Sequence, residues 1–194
     1  MQCPTCGNPG SALQIQMMLP AALDVGAVGF INNNFAYTPS SQGIIATIDA
    51  SVDKDIITNV PVDSSTTFTN TFRPLIEQDG LIYLAAIPGP TFNGGTTGYN
   101  TISRTGLGAA DFTQYDFATN TFGTGHPNFA GDQLLFGLGQ ITNFGVDNVS
   151  FEADYDNLNL SINVVPEPRA TMLILIGFAA GAVFLSKTKS RKLC

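Results

Sequence analysis

The sequence predicts an all-β fold: an antiparallel sandwich of two sheets, followed by a single C-terminal transmembrane helix. Three observations predict this class. Apolar and polar residues alternate with a period of two along residues 44–53, as in a strand with one face in water. Turn-forming residues are frequent, with 20 Gly and 11 Pro in 194 residues. Before residue 165 no segment keeps a helical period, and short strands between dense turn signals are typical of β-sandwiches.

The individual strands follow from these patterns in chain order. Residues 1–29 show no clear strand pattern, so we expect an irregular segment there and a β-sandwich over residues 30–164. Ile48, Ala50 and Val52 belong to the apolar face of the first predicted strand. Residues 66–76 and 81–87 are predicted to pair as a hairpin, because Asp79-Gly80 between them is a strong two-residue turn signal. Further strands are predicted over residues 99–104, 112–117, 133–138, 146–153 and 158–164.

The charges of the chain divide near residue 165. Residues 1–165 hold 14 acidic and 3 basic side chains, a net charge of −11, whereas residues 166–194 hold 1 acidic and 5 basic side chains, a net charge of +4. A body this acidic repels phosphate backbones, which excludes nucleic acid as a partner. The same carboxylates would keep an exported domain soluble.

The last part of the chain has the composition of a membrane anchor. Residues 170–185 carry no charge, and as a helix they would cover about 24 Å. A bilayer core is about 30 Å thick, so Ser186 and the long stem of Lys187 would complete a span over residues 170–186. The alternative is a buried helix of a soluble domain, but the run is apolar on every face, which suits lipid better.

Positive charge follows this predicted span. The basic residues after it are Lys187, Lys189, Arg191 and Lys192. Basic residues that flank a span stay in the cytoplasm, so we expect a single pass through the inner membrane with the C-terminus inside and the acidic body outside.

A known sorting signal combines the same three parts. Pro166-Glu167-Pro168, the hydrophobic helix and the basic end resemble the PEP-CTERM signal of exported bacterial proteins, over residues 165–194. The resemblance implies that an exosortase-type membrane protease recognises Pro166, Glu167 and Pro168, removes the tail and releases the body to the cell surface or to extracellular polymer. This tip uses mostly Lys where Arg is usual, and Leu193-Cys194 extends beyond the basic cluster.

The N-terminal region does not have the pattern of an export signal. Such a signal needs a basic start and an uninterrupted apolar middle. Residues 1–29 contain no Lys or Arg, and Gln14, Gln16, Pro20 and Asp24 interrupt their apolar run. We therefore expect an upstream extension to supply the signal.

The cysteines give no indication of a metal or redox site. Cys3 and Cys6 form one CxxC, but a zinc site needs a second ligand pair, which the sole histidine, His126, does not supply. A strand–CxxC–helix context for redox chemistry is absent as well. With Cys194 in the tail, we expect a processed domain without a disulfide.

A second resemblance concerns the body. Its motifs, in chain order, are similar to those of concanavalin/laminin-G-like jelly rolls, which often precede PEP-CTERM tails. They are Arg73-Pro74-Leu75-Ile76 with Tyr83, Asp111-Phe112, Gly125-His126-Pro127-Asn128-Phe129 and Gly145-Val146-Asp147-Asn148. The resemblance implies that the sandwich is a jelly roll.

A row of carboxylates is the candidate metal site. Glu152, Asp154 and Asp156 alternate along a strand, with Asp147 and Asn157 nearby. Calcium takes six to eight oxygen ligands, so Asp147, Glu152, Asp154 and Asp156 are candidate calcium ligands. The alternative is a solvated acidic face without a metal ion.

Two further functions remain as alternatives. In a carbohydrate-binding module, tyrosines would line the sugar-binding face, and the candidates are Tyr37, Tyr83, Tyr99 and Tyr115. The alternative is that these tyrosines are half-buried packing residues. Paired carboxylates also occur in secreted glycan hydrolases, but 14 acidic residues include such pairs by chance and the chain has no Trp. His126, directly before Pro127, is expected to shape a loop.

Together these patterns favour an exported, non-enzymatic protein of the cell surface or extracellular matrix. Its expected partners are an exosortase-type membrane protease, the membrane and extracellular polysaccharide. No catalytic residue and no cofactor other than calcium is proposed from the sequence.

Overall fold

The computed structural model describes residues 1–20, 25–58, 69–85, 98–143 and 147–166. The chain divides into two units, Met1–Val164 and Val165–Cys194. In the second unit only Val165 and Pro166 lie among the described residues.

Strands make up most of the first unit. Within the described residues they are β1 (Gln2–Gly7), β2 (Gly10–Leu19), β3 (Val25–Tyr37), β4 (Ile45–Thr58), β5 (Thr69–Gln78), β6 (Leu81–Ala85), β7 (Asn100–Leu107), β8 (Phe112–Asp116), β9 (Thr121–Phe122), β10 (Leu134–Asn143) and β11 (Val149–Val164). One short helix, α1 (Pro39–Gln42), follows β3, and a 3₁₀ turn (Ala109–Asp111) precedes β8.

The strands form two antiparallel sheets. The first sheet has the order β1-β2-β11-β4-β7 and the second the order β3-β10-β5-β6-β8-β9. Every described pair is antiparallel. The predicted two-sheet antiparallel sandwich is therefore confirmed.

The core lies between the inner faces of the two sheets. Its fully buried side chains come from both of them and include Ile48, Val52, Ile56, Phe72, Ile76, Phe112 and Phe151. The predicted alternation holds from Ile48 to Val52, but at the start of β4 Ile45 is buried and Ile44 is exposed. The pairing with β11 shifts register next to Ile45, and a one-residue shift exchanges the two faces of a strand.

The expectation of an irregular segment over residues 1–29 is wrong. β1 and β2 belong to the first sheet, and β3 begins the second sheet at Val25. Gln14 and Gln16, which break the apolar run needed for an export signal, face outward from β2, as does Met18. Ile15 between them is 4% exposed and belongs to the core.

Two local predictions have different outcomes. The hairpin between β5 and β6 is confirmed, since Asp79 and Gly80 both have positive φ, as a type I′ turn requires. Residues 146–153 and 158–164 were predicted as two strands, but β11 is one strand from Val149 onward. It continues through a bulge at Asn157, whose φ of 51° lies in the left-handed region.

The N-terminal strand carries a covalent link. Cys3 and Cys6, both in β1, form a disulfide, so the expectation of a domain without one is wrong. The two cysteines of this CxxC pair bond to each other within one strand, and the pair holds no metal in this state.

A buried hydrogen bond joins the two sheets through the core. The hydroxyl of Tyr155 in β11 donates to Oε1 of Gln140 in β10 at 2.5 Å, and Gln140 Nε2 donates to Thr142 Oγ1 at 3.0 Å. Lys54 Nζ lies 5.2 Å from the centroid of the Tyr155 ring. The hydrogen bond between Tyr155 and Gln140, inside an otherwise apolar core, fixes how β11 faces β10.

Removal of the Tyr155 hydroxyl tests this cross-sheet contact. We expect Tyr155→Phe to lower the free energy of unfolding by about 1–2 kcal/mol, because Gln140 Oε1 loses its buried donor. Urea unfolding measures the change. The double variant Tyr155→Phe/Gln140→Leu is expected to recover part of the loss, since both partners are then apolar. An unchanged urea midpoint for Tyr155→Phe would contradict the assignment.

Candidate functional site: the acidic face of the first sheet

Most of the predicted sorting signal lies outside the described residues. Pro166 is described and exposed, whereas Glu167, Pro168, the predicted span 170–186 and the basic tip are not. Within the part of the chain that the structure describes, no helix is both long enough and apolar enough to cross a bilayer.

The structure brings the predicted carboxylate row together with acidic residues of a neighbouring strand. Glu152, Asp154 and Asp156 point outward from β11. In the pairing with β4, Asp154 lies opposite Asp55 and Asp156 opposite Asp53. Asp53 and Asp55 could not be recognised as members of this group from the sequence, because strand pairing between distant segments is not visible in a single sequence.

Part of this face is a docking point for the turn between β1 and β2. Asp156 Oδ2 accepts a hydrogen bond from the backbone N–H of Asn8 at 2.7 Å, and the amide of Asn157 donates to the Asn8 carbonyl at 3.0 Å. The same amide donates to Asp53 Oδ2 at 2.8 Å. The β11 bulge therefore positions Asn157 to connect β11 with β4 and with the turn between β1 and β2. The carboxylates of Asp53 and Asp156 thus have structural partners.

Two carboxylates of β4 are stabilised in their charged form. Asp53 also accepts a 2.5 Å hydrogen bond from the Thr101 hydroxyl, and this bond with that of Asn157 lowers its pKa. Asp49 accepts from the backbone N–H of Gly106 at 2.7 Å and from the Asn163 amide at 3.0 Å, which lowers its pKa as well.

Asp154 is in the opposite electrostatic situation. It is only 3% exposed, and its Oδ1 has no hydrogen-bond partner. Burial raises its pKa, and the nearby charges of Glu152 and Asp55 act in the same direction, against a hydrogen bond from Gln14. A buried carboxylate with one unsatisfied oxygen is costly, so Asp154 is the strained member of the group.

Tyr99 belongs to the same face. Its hydroxyl donates to the carbonyl of Cys6. Burial, together with the charges of Asp154 and three neighbouring aspartates, raises its pKa to about 12. The tyrosine therefore stays protonated at physiological pH and serves as a hydrogen-bond donor to β1.

The described residues do not form a cluster of calcium ligands. Asp147 is exposed, before the start of β11. In the described ranges no group of three or more His, Cys, Asp or Glu side chains is arranged to hold a metal ion. Successive outward residues of a strand lie about 7 Å apart, whereas calcium–oxygen distances are about 2.4 Å. Calcium binding by Glu152, Asp154 and Asp156 remains a prediction from the sequence.

The four tyrosines considered for a sugar-binding face do not share a surface. Tyr37 and Tyr83 are 8% and 7% exposed and belong to the core, whereas Tyr115 is 4% exposed and belongs to a separate apolar cluster. Tyr99 lies on the acidic face. These residues contribute mainly to packing and hydrogen bonding.

Among the described residues, neither the surroundings of His126 nor the cleft beside β2 contains an acid–base pair. His126 Nδ1 lies 2.7 Å from the Phe112 carbonyl oxygen, a contact that holds the loop after β9 against β8. A cleft of about 530 Å³ opens between β2 and β3, and its lining combines the amides of Gln14 and Gln16 with apolar side chains such as Met17. None of its described lining residues has a titratable side chain.

Comparisons with known proteins assign the chain to no family. No family model and no curated protein matches it. Two solved structures of infectious bursal disease virus, from the Gt and Gx strains, share 14% and 11% identity with it, over 80% and 87% of this chain. The chain spans 40% and 48% of their lengths, and the TM-scores are 0.26 and 0.21. Superpositions at this level carry no inference about fold or function.

The burial of Asp154 predicts a stabilising substitution. Because the folded protein raises the pKa of Asp154, the wild type loses stability as pH rises from the ordinary carboxyl pKa of 3.8 through the folded value. We expect Asp154→Asn to raise the free energy of unfolding at pH 7 by about 1 kcal/mol. Thermal unfolding at pH 7 and below pH 4 measures the gain, which should shrink in acid.

Asp49→Asn is the matched control. The folded protein lowers the pKa of Asp49, so its contribution is present above the ordinary carboxyl pKa and is lost on acidification. This variant should therefore be less stable than the wild type at pH 7. If both variants shift stability in the same direction, the contrast between the two carboxylates is wrong.

Proposed function

We propose that the chain is an exported, non-enzymatic protein of the cell surface or extracellular matrix, delivered by its C-terminal sorting signal. The observation that carries the proposal is the order of three parts in residues 165–194. A Pro-Glu-Pro motif is followed by an uncharged run and then by a basic tip. The tail has a net charge of +4 next to a body of −11.

The charge division supports a defined topology. The basic tip would remain on the cytoplasmic side, whereas the acidic body would be translocated. In the chain, β11 ends at Val164, and the sorting motif begins only two residues later. Cleavage near Pro166-Glu167-Pro168 would therefore leave all eleven described strands in the released product.

The disulfide supports export independently of the tail. Disulfides persist in the periplasm and outside the cell and are rare in the reducing cytosol. The bond between Cys3 and Cys6 agrees with an oxidising destination.

We also propose that the sandwich is a concanavalin/laminin-G-like jelly roll. The confirmed hairpin of β5 and β6 contains the Arg73-Pro74-Leu75-Ile76 motif, and Phe112 at the start of β8 is buried in the core. These positions support the resemblance at the level of individual motifs. A jelly roll is compatible with adhesive and structural roles in a matrix.

Processing of the tail tests the sorting proposal. In a bacterium that encodes an exosortase, we expect the wild-type sequence, expressed behind an export signal, to lose its C-terminal residues and reach the surface, as shown by mass spectrometry of the C-terminus and by cell fractionation. Replacement of Pro166, Glu167 and Pro168 by alanine should leave the full-length chain in the membrane fraction. An identical tail-cleaved product from both proteins would contradict recognition of the motif.

The basic tip provides a separate test of topology. Changing Lys187, Lys189, Arg191 and Lys192 to Glu should reduce correct insertion several-fold, because no positive charge then holds the tip inside. Lys→Arg changes at 187, 189 and 192 keep the charge and are the matched control. Protease accessibility of the body in spheroplasts measures the outcome. A wild-type body protected in the cytosol would overturn the proposal.

A further inference from the structure

Arg73 is an unusual cation in this acidic body. The body has three basic side chains. Lys54 is 4% exposed beside Tyr155 in the core, and Arg104 forms an ion pair with Asp111 at 2.5 Å. Arg73 projects instead from the outer face of the second sheet, where it lies opposite Gly139 of β10.

The guanidinium of Arg73 is half-buried without a counter-charge. Its Nε is buried and has no hydrogen-bond partner, and among the described residues no carboxylate lies within ion-pair distance. Burial lowers its pKa, although an arginine stays charged at any physiological pH. Removing a cation from water without a counter-charge costs free energy, so the half-buried position of Arg73 destabilises the fold.

An exposed aromatic ring lies directly beside this cation. The Arg73 guanidinium carbon lies 5.1 Å from the centroid of Phe122, which is 47% exposed. Phe122 pairs across β8 and β9 with Tyr115, and their ring centroids are 4.8 Å apart. Tyr115 also packs edge-on against Phe117 at 4.9 Å. The buried rings hold Phe122 in place and leave part of its surface free.

We propose that Arg73 and Phe122 form a binding site for a carboxylate-bearing sugar, such as a uronic acid residue of an acidic polysaccharide. The guanidinium presents a planar fork of donors that matches a carboxylate. The exposed ring of Phe122 provides a flat apolar surface for the C–H face of a pyranose. A bound carboxylate would supply the counter-charge that Arg73 lacks in the protein.

The negative charge of the body does not prevent this interaction. The acidic residues Asp53, Asp55 and Asp154 lie on the outer face of the other sheet. Packed sheets are about 10 Å apart, and their outer faces are farther apart still, whereas the Debye length at physiological ionic strength is about 8 Å. The acidic residues nearest in sequence to Arg73 and to Phe122 are Glu77 and Asp116. Each accepts a hydrogen bond from a backbone N–H of its own turn, Glu77 from Gly80 at 2.8 Å and Asp116 from Ala118 at 2.7 Å.

This inference concerns the sandwich alone and does not depend on the sorting tail. A failed binding test would leave the processing proposal standing, and a failed processing test would leave this site standing. It extends the proposed matrix role by naming the class of polymer that the body would contact.

Isothermal titration with trigalacturonate tests the site. The full-length chain, kept in solution with a non-ionic detergent, should bind the acid trisaccharide saturably and bind its neutral methyl ester about ten-fold more weakly. Binding should also weaken as NaCl is raised from 50 to 500 mM. Absence of binding at millimolar ligand, or equal affinity for acid and ester, would overturn the proposal.

Variants separate a binding role from a structural one. Arg73→Gln should weaken binding about ten-fold or more, and Phe122→Leu should weaken it several-fold. Arg104→Gln removes the same charge at an ion-paired position and should change the affinity less than about two-fold. If Arg104→Gln weakens binding as much as Arg73→Gln, only net charge matters and the site assignment is wrong.

Thermal unfolding of Arg73→Met completes the test. A binding residue held without a partner should be replaceable without loss of stability, so the midpoint should stay the same or rise while trigalacturonate binding is lost. A large fall in the midpoint would indicate that Arg73 is a packing residue. An Asp-rich peptide that binds Arg73 as tightly as trigalacturonate would overturn the choice of a sugar.

Discussion

The double pairing of β11 is the constraint on which the rest of the structure depends. This 16-residue strand pairs with β2 on one side and with β4 on the other. Its alternation directs Phe151, Ala153 and Tyr155 into the core and Glu152, Asp154 and Asp156 outward. Tyr155 then reaches across to Gln140, so the same strand sets both the first sheet and its packing on the second. The bulge at Asn157 connects this strand to the turn between β1 and β2.

The two outer faces of the sandwich have different chemistry. The first sheet exposes carboxylates, most of which have hydrogen-bond donors from neighbouring strands. The second sheet has an apolar cluster that includes Leu75, Leu84 and Tyr115, and Arg73 lies among its aromatic rings. This separation of the carboxylates from Arg73 and its neighbouring rings is the physical basis of the proposal that the second sheet binds an acidic sugar.

Two buried charges depart from the otherwise consistent patterning of the fold. Lys54 and Asp154 are each at least nine-tenths buried. Burial lowers the pKa of Lys54 and raises that of Asp154, and both shifts favour the neutral form. Lys54 follows the same alternation as the apolar Val52 and Ile56, so the sequence pattern already places it on the buried face of β4. Asp154 follows the alternation of its outward-facing neighbours Glu152 and Asp156, so nothing in the sequence indicates its burial. Burial of these side chains depends on which segments cover them, and those segments are distant in the chain.

The sequence by itself determined the all-β class, the hairpin at Asp79-Gly80 and the candidate carboxylate row, because these depend on local alternation and on backbone preferences of a few adjacent residues. The sorting signal also depends on local composition, and it remains a proposal. Only the tertiary structure decided that residues 1–29 contribute strands to both sheets, that Asp53 and Asp55 join the carboxylates of β11, and that Arg73 lies beside Phe122. Each of these depends on pairing or packing between segments that are 40 or more residues apart or that belong to different sheets. Such contacts form because complete apolar faces of the two sheets are buried against each other. A short stretch of sequence does not specify which faces meet.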